Sequence, residues 1–315
     1  MRIASFNVQN LRLRQRGGDW RLDGARDSDT ASDSTMAAQM LDGTDRRLTA
    51  EVLRDADADV VALQEVFDLA TLDYFHDHVL LPEGVAPYPY RICLPGNDGR
   101  GLDVAVMSRL PLAEVVSHAA LTPQDLGLAV EPHPGLGIAP DHPVFRRDCL
   151  MVTVGRLTLF LCHFKAPYPD EEGAWTIRRL EAQAVRRLIE RRFANDANAY
   201  WMLIGDLNEP AISPVGKERA IAPLIGDFSV DLLARLPADD RWTYFDRWSG
   251  LYSRPDAVLA SPALARDWPE ACPVILREGL GREVGAGAGA RLDQVGEHRP
   301  HASDHAAILI DFPEL

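Results

Sequence analysis

The feature that most constrains this chain is a set of short apolar runs, each of which stops at a single polar residue. Ile3 to Phe6 stops at Asn7, Val60 to Gln64 at Glu65, Leu157 to Cys162 at His163, and Trp201 to Gly205 at Asp206. Each run is strand length, rich in Val, Ile, Leu or Phe, and flanked by turn formers or helical patterns, which is how a strand buried in a sheet reads. The last run is reversed: Asp304 and His305 come first, and Ala306 to Asp311 follows. If that strand runs antiparallel to the others, it begins at the edge where they end, and six polar groups converge on one rim.

A 3.6-residue period through Ile177, Leu180, Ala184, Val185, Leu188, Ile189 and Phe193 predicts an amphipathic outer helix over Thr176 to Phe193. Its arginines, Arg178, Arg179, Arg186, Arg187, Arg191 and Arg192, either touch a polyanion or form a solvated face with Glu181 and Glu190. A second helix is expected over Asp45 to Asp55, leading into the strand that ends at Glu65. Leu13 to Gly43 is polar enough to read as a loop or flap, and Leu121 to Pro143 and Gly279 to Pro300 also read as loops. A sheet that uses a strand from each end of the chain cannot be split into separately cored halves, so residues 1–315 are expected to form a single domain.

Lys plus Arg is 33 and Asp plus Glu is 47, a formal net charge of −14 that leaves no global basic field to gather polyanions. Cys93, Cys149, Cys162 and Cys272 are far apart and are expected to be reduced, packed thiols. No stretch approaches the roughly 20 apolar residues that span a bilayer, so integral membrane association is not expected. The strand-like run at the start leaves no signal-peptide pattern, and the expectation is cytoplasmic.

Several motifs fail on context. Gly285, Gly287 and Ala290 fit a dinucleotide pattern without the strand and helix it needs. Asp27, Asp29 and Asp33 lack the remaining ligands of a calcium loop, and His298, His301 and His305 lack a partner pair for zinc. P-loop, zinc-protease and serine-hydrolase signatures are missing.

What remains is Asn7, Glu65, His163, Asp206, Asn208, Asp256, Asp304 and His305. Carboxylates, amides and two histidines at one sheet rim suit Mg²⁺, which prefers oxygen ligands and keeps several waters. Phosphoester hydrolysis most needs this set, because its slow, highly charged transition state requires a cation, donors and an oriented water.

The blocks that carry these residues are Ser-Phe-Asn-Val-Gln-Asn-Leu at 5–11, Leu-Gln-Glu-Val at 63–66 and Gly-Leu-Asp-Val-Ala-Val-Met-Ser-Arg at 101–109. Cys-His-Phe-Lys-Ala at 162–166, Gly-Asp-Leu-Asn-Glu-Pro at 205–210, Arg-Pro-Asp-Ala-Val-Leu-Ala-Ser-Pro at 254–262 and Ser-Asp-His-Ala at 303–306 follow. In this order the sequence resembles the endonuclease/exonuclease/phosphatase superfamily. The resemblance implies an α+β fold, a four-layer αββα sandwich of two mixed sheets with helices outside. It implies Glu65 as principal Mg²⁺ ligand, with Mn²⁺ as an alternative ion, and Asn7 and Asp304 completing or orienting the coordination. It further implies Asp206 as the residue that holds or deprotonates the attacking water and Asn208 as its steadying partner. His305, paired with Asp256, and His163 would donate to phosphoryl oxygens, and Lys165 and Arg147 would clamp phosphate.

Two departures stand out. Gln9 occupies a position where several relatives carry a carboxylate, and Pro255 precedes Asp256 where relatives carry an aliphatic residue, which removes a ladder donor. Asp103 either orients His163 or is simply a polar residue on a sheet face. The expected function is a Mg²⁺-dependent phosphoester hydrolase of phosphodiesterase or nuclease type, using in-line attack of water on phosphorus. The alternatives are a hydrolase of a small or lipid phosphoester, and a catalytically silent binding protein. Whether the partner is nucleic acid or a small molecule, and the oligomeric state, stay open at this point.

Overall fold

The computed structural model of the chain describes residues 1–27 and 35–315. Strands and helices are numbered in chain order. The first six-stranded sheet has the order β15 (Val274–Leu276), β16 (Ala307–Asp311), β1 (Arg2–Leu11), β4 (Val60–Val66), β6 (Asp103–Ser108), β5 (Tyr90–Cys93). The second, also six-stranded, runs β11 (Val230–Asp231), β14 (Asp256–Ala260), β10 (Tyr200–Asp206), β9 (Leu157–His163), β8 (Cys149–Val154), β7 (Leu112–Val116). Two hairpins stand apart, β2 (Leu13–Arg16) with β3 (Asp19–Leu22) and β12 (Tyr244–Asp246) with β13 (Leu251–Ser253).

Alternation along each strand decides the layers, because successive side chains point to opposite faces. Ile3, Val60, Ala62, Val104 and Val106 of the first sheet meet Leu159, Leu161, Met202, Ile204 and Val258 of the second in one buried cluster. The intervening residues Phe6, Val8, Val61, Leu63 and Met107 face α1 (Met36–Ala56) through its Leu48, Val52 and Leu53. On the far side Phe160, Cys162, Trp201 and Leu203 pack against Ile177, Leu180, Ala184, Val185 and Ile189 of α4 (Glu171–Arg192). The result is helix, sheet, sheet, helix, as the resemblance implies. Each buried Val, Leu or Ile contributes about 1.5–3 kcal/mol, so a one-residue slip that exchanged the faces would be prohibitive.

Pairing brings the polar strand ends to one edge. β1 is parallel to β4, with Asn7 beside Gln64, and antiparallel to β16. β9 is parallel to β10 with His163 beside Asp206, and β10 is antiparallel to β14 with Asp206 beside Asp256. Pro255 does not disturb this register. It lies just before the first residue of β14, and its carbonyl accepts from the Leu207 N–H at 2.9 Å.

The loop expected over Leu13 to Gly43 is corrected in its described part. It contains the β2–β3 hairpin, which turns at Gly17 and Gly18 with φ of 61° and 95°. It also contains the start of α1, whose Thr35 cap accepts from the Ala38 N–H at 3.2 Å. Thus α1 begins well before the expected Asp45, because its polar first turns are held by buried ion pairs rather than by an apolar face. Asp29 and Asp33, weighed as calcium ligands, lie outside the described residues. Helix α4 likewise starts ahead of Thr176, capped by Asp170, which accepts from the Gly173 N–H at 3.1 Å. All four cysteines are free thiols, and Cys272 alone is exposed. Among the described residues no helix is long and apolar enough to cross a membrane.

Candidate active site

Asn7 and Glu65 reach the rim through irregular backbone. The β1–β4 ladder slips between Asn7 and Leu11, and the β4–β6 ladder between Gln64 and Val66. In these bulges Gln9, Asn10 and Glu65 take left-handed φ values of 46°, 58° and 67°. Non-glycine residues hold such a conformation at a cost of about 1–3 kcal/mol, and bulges characteristically re-aim a side chain. In the second sheet Asn208 is also left-handed, with φ 51°. Just before it, Gly205 takes φ 130°, and a Cβ there would lie 2.1 Å from the Cys162 carbonyl oxygen. Glycine is therefore required where β10 delivers Asp206.

Asn7 bridges the two sheets. Its Nδ2 donates to Glu65 Oε1 at 3.3 Å and to Asp206 Oδ2 at 3.1 Å, while its Oδ1 accepts from the Gln9 N–H at 3.0 Å. The Asn10 N–H fixes the other oxygen of Glu65 at 2.8 Å. Asp206 Oδ1 accepts from the Asn208 N–H at 2.8 Å, and its Oδ2 lies 3.5 Å from His163 Nε2 and 3.8 Å from His305 Nε2. His305 Nδ1 meets Asp256 Oδ2 at 2.9 Å, and the Thr243 hydroxyl donates to the same oxygen at 2.6 Å. The Ser303 hydroxyl donates to the Asn7 carbonyl at 2.7 Å and accepts from the His305 N–H at 3.1 Å. Glu65, Asp206 and His305, from three distant parts of the chain, therefore share one connected cluster.

Charges in this cluster are set by burial and by each other. Burial raises the Asp206 carboxyl to about 6, with Asp256 adding to the rise and His305 opposing it. Burial disfavours a charged His305, yet the carboxylates of Asp256 and Asp206 overcome it and hold the imidazolium well above its ordinary value. His163 is pushed the other way, kept neutral by burial and by the nearby positive charges of Arg147, His305 and Arg100. Asp304 rises to about 8, chiefly through burial, with the Asp27 and Glu65 carboxylates repelling its charge against the pull of His305.

That last shift bears on a cation. The Asp27 and Glu65 carboxylates act on Asp304 through their charge, and a hard divalent ion prefers oxygen donors of this kind. Asp206, Asp256 and His305 form a second group, whose ligand atoms lie within 4.8 Å of one another. Its two carboxylates are partly offset by the His305 imidazolium that lies between them. Glu65 takes its hydrogen bonds from the neutral N–H groups of Asn7 and Asn10, so its charge is left for a cation.

Residues 4–305 match the model of the Endonuclease/Exonuclease/phosphatase family. The chain belongs to that family. It is accordingly a phosphoester hydrolase by class, and its αββα architecture agrees with solved structures. A truncated TDP2 of Caenorhabditis elegans is 16% identical, with a TM-score of 0.56 over 98% of this chain and 96% of that one. A mannosyl-6-phosphatase of Bacteroides thetaiotaomicron is 15% identical, with a TM-score of 0.57 over 99% and 98%. An AP endonuclease of Archaeoglobus fulgidus is 13% identical, with a TM-score of 0.56 over 99% of both chains. At these identities the likeness shows the fold. A search of curated proteins finds no match by sequence.

Not every residue expected at an Endonuclease/Exonuclease/phosphatase site stands ready for substrate. Lys165 Nζ donates to the carbonyls of Ala166, at 2.8 Å, and of Tyr168. Arg147 is buried, with its Nη1 on the Phe164 carbonyl at 2.7 Å and its Nε 3.1 Å from Asp98. It supports the strand end rather than facing solvent, and the same Phe164 carbonyl accepts from Asn208 Nδ2 at 3.0 Å. Asp103 accepts from the Gly96 N–H at 3.0 Å, and no hydrogen bond joins it to His163, whose Nδ1 is buried without a partner among the described residues. Gln9 bridges two acids: its Nε2 donates to Asp27 at 3.0 Å and its Oε1 accepts from the Asp304 N–H at 3.2 Å.

Sequence reasoning missed Arg46. Its buried guanidinium donates to the carbonyls of Val8 and Asp23 at 2.6 Å, Gln9 at 2.8 Å, Gly24 at 2.9 Å and Asn10 at 3.1 Å. Neighbouring Asp45 accepts from the N–H groups of Ala25 at 2.9 Å and His301 at 3.0 Å and pairs with Arg299. One turn of α1 thus ties the end of β1 to the segment before Asp304. No local motif announces this, since an Asp-Arg pair on a helix reads as solvated surface.

Proposed function

We propose that the chain works as a single-domain, divalent-metal-dependent phosphoester hydrolase that uses Mg²⁺ and cleaves by in-line attack of water on phosphorus. The observation that supports this reading is the bridge from Glu65 through Asn7 to Asp206, which holds the proposed cation ligand next to the proposed base. A bound cation, held by Glu65 and Asp304 with Asn7 orienting them, would supply Lewis-acid stabilisation of the developing phosphoryl charge. Asp206, raised to about 6, is ionised at neutral pH and basic enough to take a proton from water. The Asn208 N–H and Asn7 Nδ2 fix the two Asp206 oxygens. As the water oxygen bonds to phosphorus, the opposite ester bond breaks and the proton passes to Asp206. His305, charged and oriented by Asp256, donates a hydrogen bond to a phosphoryl oxygen.

Within this class the surface favours a compact phosphoester over a long nucleic acid. The arginines of α4 are engaged: Arg178 is buried, Arg179 pairs with Glu218, Arg186 and Arg187 with Glu190, and Arg192 with Glu114, while Arg191 donates to the Asp125 carbonyl. A stripe already engaged in this way, on a chain of net charge −14, offers little to a polyanion. The test is a panel of plasmid DNA, RNA, a nitrophenyl phosphodiester, sphingomyelin and inositol phosphates, assayed with Mg²⁺ and with EDTA. At least one substrate is turned over, chelation abolishes the activity, and Asp206→Ala lowers it by about 10²–10⁴. Undiminished turnover in EDTA or in the variant rejects the mechanism. Preferred cleavage of DNA or RNA, falling steeply with salt, rejects the compact substrate.

A further inference from the structure

We infer that Arg100 is the residue that binds the substrate phosphate, through a guanidinium aimed from the turn before β6 and locked by Asp98. This deepens the proposed function and rests on the reading of the site as a phosphoester hydrolase. The two cations expected to clamp phosphate are otherwise engaged, Lys165 by carbonyls and Arg147 by burial. Arg100 differs from both, because 64% of its side chain is exposed.

Its position is fixed from several directions. Asp98 Oδ1 accepts from the Arg100 N–H at 2.8 Å and from its Nε at 3.1 Å, and Asp98 Oδ2 accepts from its Nη2 at 2.9 Å. The turn is closed by a Gly101 N–H to Asp98 carbonyl bond of 2.9 Å. Asp98 is itself anchored by the buried Arg147, which reaches the Phe164 carbonyl shared with Asn208. The guanidinium is therefore tied by a continuous chain of contacts to the residue that holds Asp206. Two of its five N–H donors go to Asp98, so the other three carry no hydrogen bond among the described residues. Three residues further on, Asp103 pairs with Val66, and Gly101 lies against the Phe67 ring, which places the turn at the end of β4 that carries Glu65. In keeping with this, Arg100 holds its proton more tightly, first through the Asp98 hydrogen bond and also through the fields of Glu65 and Asp27. A planar fork with a fixed back edge and a free front edge is the geometry that binds phosphate in two-point fashion.

The experiment measures inorganic phosphate binding by calorimetry in the presence of Mg²⁺, together with KM and kcat for the best substrate of the panel. Arg100→Ala is expected to weaken phosphate binding and raise KM by about tenfold to a hundredfold, with kcat changed by much less. Arg100→Lys should recover part of the loss, and Asp98→Asn should weaken phosphate by loosening the same fork. Melting temperature and Mn²⁺ affinity of the Arg100 variants should match the wild type, which separates a binding role from a structural one. Phosphate affinity within twofold of wild type in Arg100→Ala overturns the assignment, as does a loss of phosphate binding that follows lost Mn²⁺ affinity. If the wild type hydrolyses no phosphoester, the functional reading fails, and the phosphate titration still decides the role of Arg100.

Discussion

Replacing Arg46 by methionine removes a charge while leaving much of the side-chain volume. In the folded chain the guanidinium satisfies five backbone carbonyls, those of Val8, Gln9, Asn10, Asp23 and Gly24. Burial lowers its pKa to about 10, so the cation is costly to hold, and the charges of Asp45, Asp23 and Asp42 offset that cost. Methionine relieves the desolvation of the cation but strands the carbonyls and leaves those carboxylates less well compensated. Breaking a buried ionic network from one side costs about 3–5 kcal/mol. At roughly 2–4 °C per kcal/mol for a large domain, the melting temperature should fall by about 6–20 °C. Because three of the five carbonyls follow Asn7 directly, Mn²⁺ affinity should fall as well, and Arg46→Lys should lie between, keeping the charge without the fork. Urea unfolding and calorimetry of the three proteins measure this. A methionine variant within 1 kcal/mol of wild type would show that the buried guanidinium is not what holds the rim together.

Two further outcomes follow from the geometry. Gly205→Ala should destabilise by about 3 kcal/mol or more, since its Cβ meets the Cys162 carbonyl on the neighbouring strand; a variant of normal stability and activity would count against the tight β9–β10 approach. Burial lowers His301 from 6.5 to about 3, with its Nε2 on the Ala25 carbonyl at 3.0 Å. The unfolded chain therefore binds a proton that the folded chain does not between these values, and this contribution is present above pH 6.5 and lost as the pH falls through the window. At about 1.4 kcal/mol per pH unit, wild type should lose about 2 kcal/mol from this group between pH 6.5 and 5. His301→Gln, which keeps a donor for Ala25, should lose correspondingly less in urea melts across that range. Parallel curves for the two proteins would contradict the buried neutral imidazole.

Much of the architecture is legible in the sequence because it is written in local patterns. Apolar runs of strand length that stop at Asn7, Glu65, His163 and Asp206, and the reversed order at Asp304 and His305, locate the rim. The α4 face is equally plain, apart from its first turn. What escapes is what depends on distant charge. The early start of α1 and the Arg46 network involve polar residues that look solvated until Asp42, Asp45 and Arg299 are seen folded against one another. The cations near the site show the same limit. Lys165 and Arg147 have the right residue type at strand ends, but only the contacts of their side chains reveal that both are engaged. Asp98 and Arg100, in the short turn Gly-Asn-Asp-Gly-Arg-Gly at 96–101, read as punctuation between strands.

The claim on which the account turns is that a divalent ion sits on the Glu65 side of the cluster. Crystals of the protein soaked in Mn²⁺ and measured for anomalous scattering test it directly. An ion is expected within coordination distance, about 2.0–2.6 Å, of a Glu65 carboxylate oxygen, with Asp304 bound directly or through water. An ion bound by Asp206, Asp256 and His305 with none at Glu65, or no ion at saturating Mn²⁺, would contradict it.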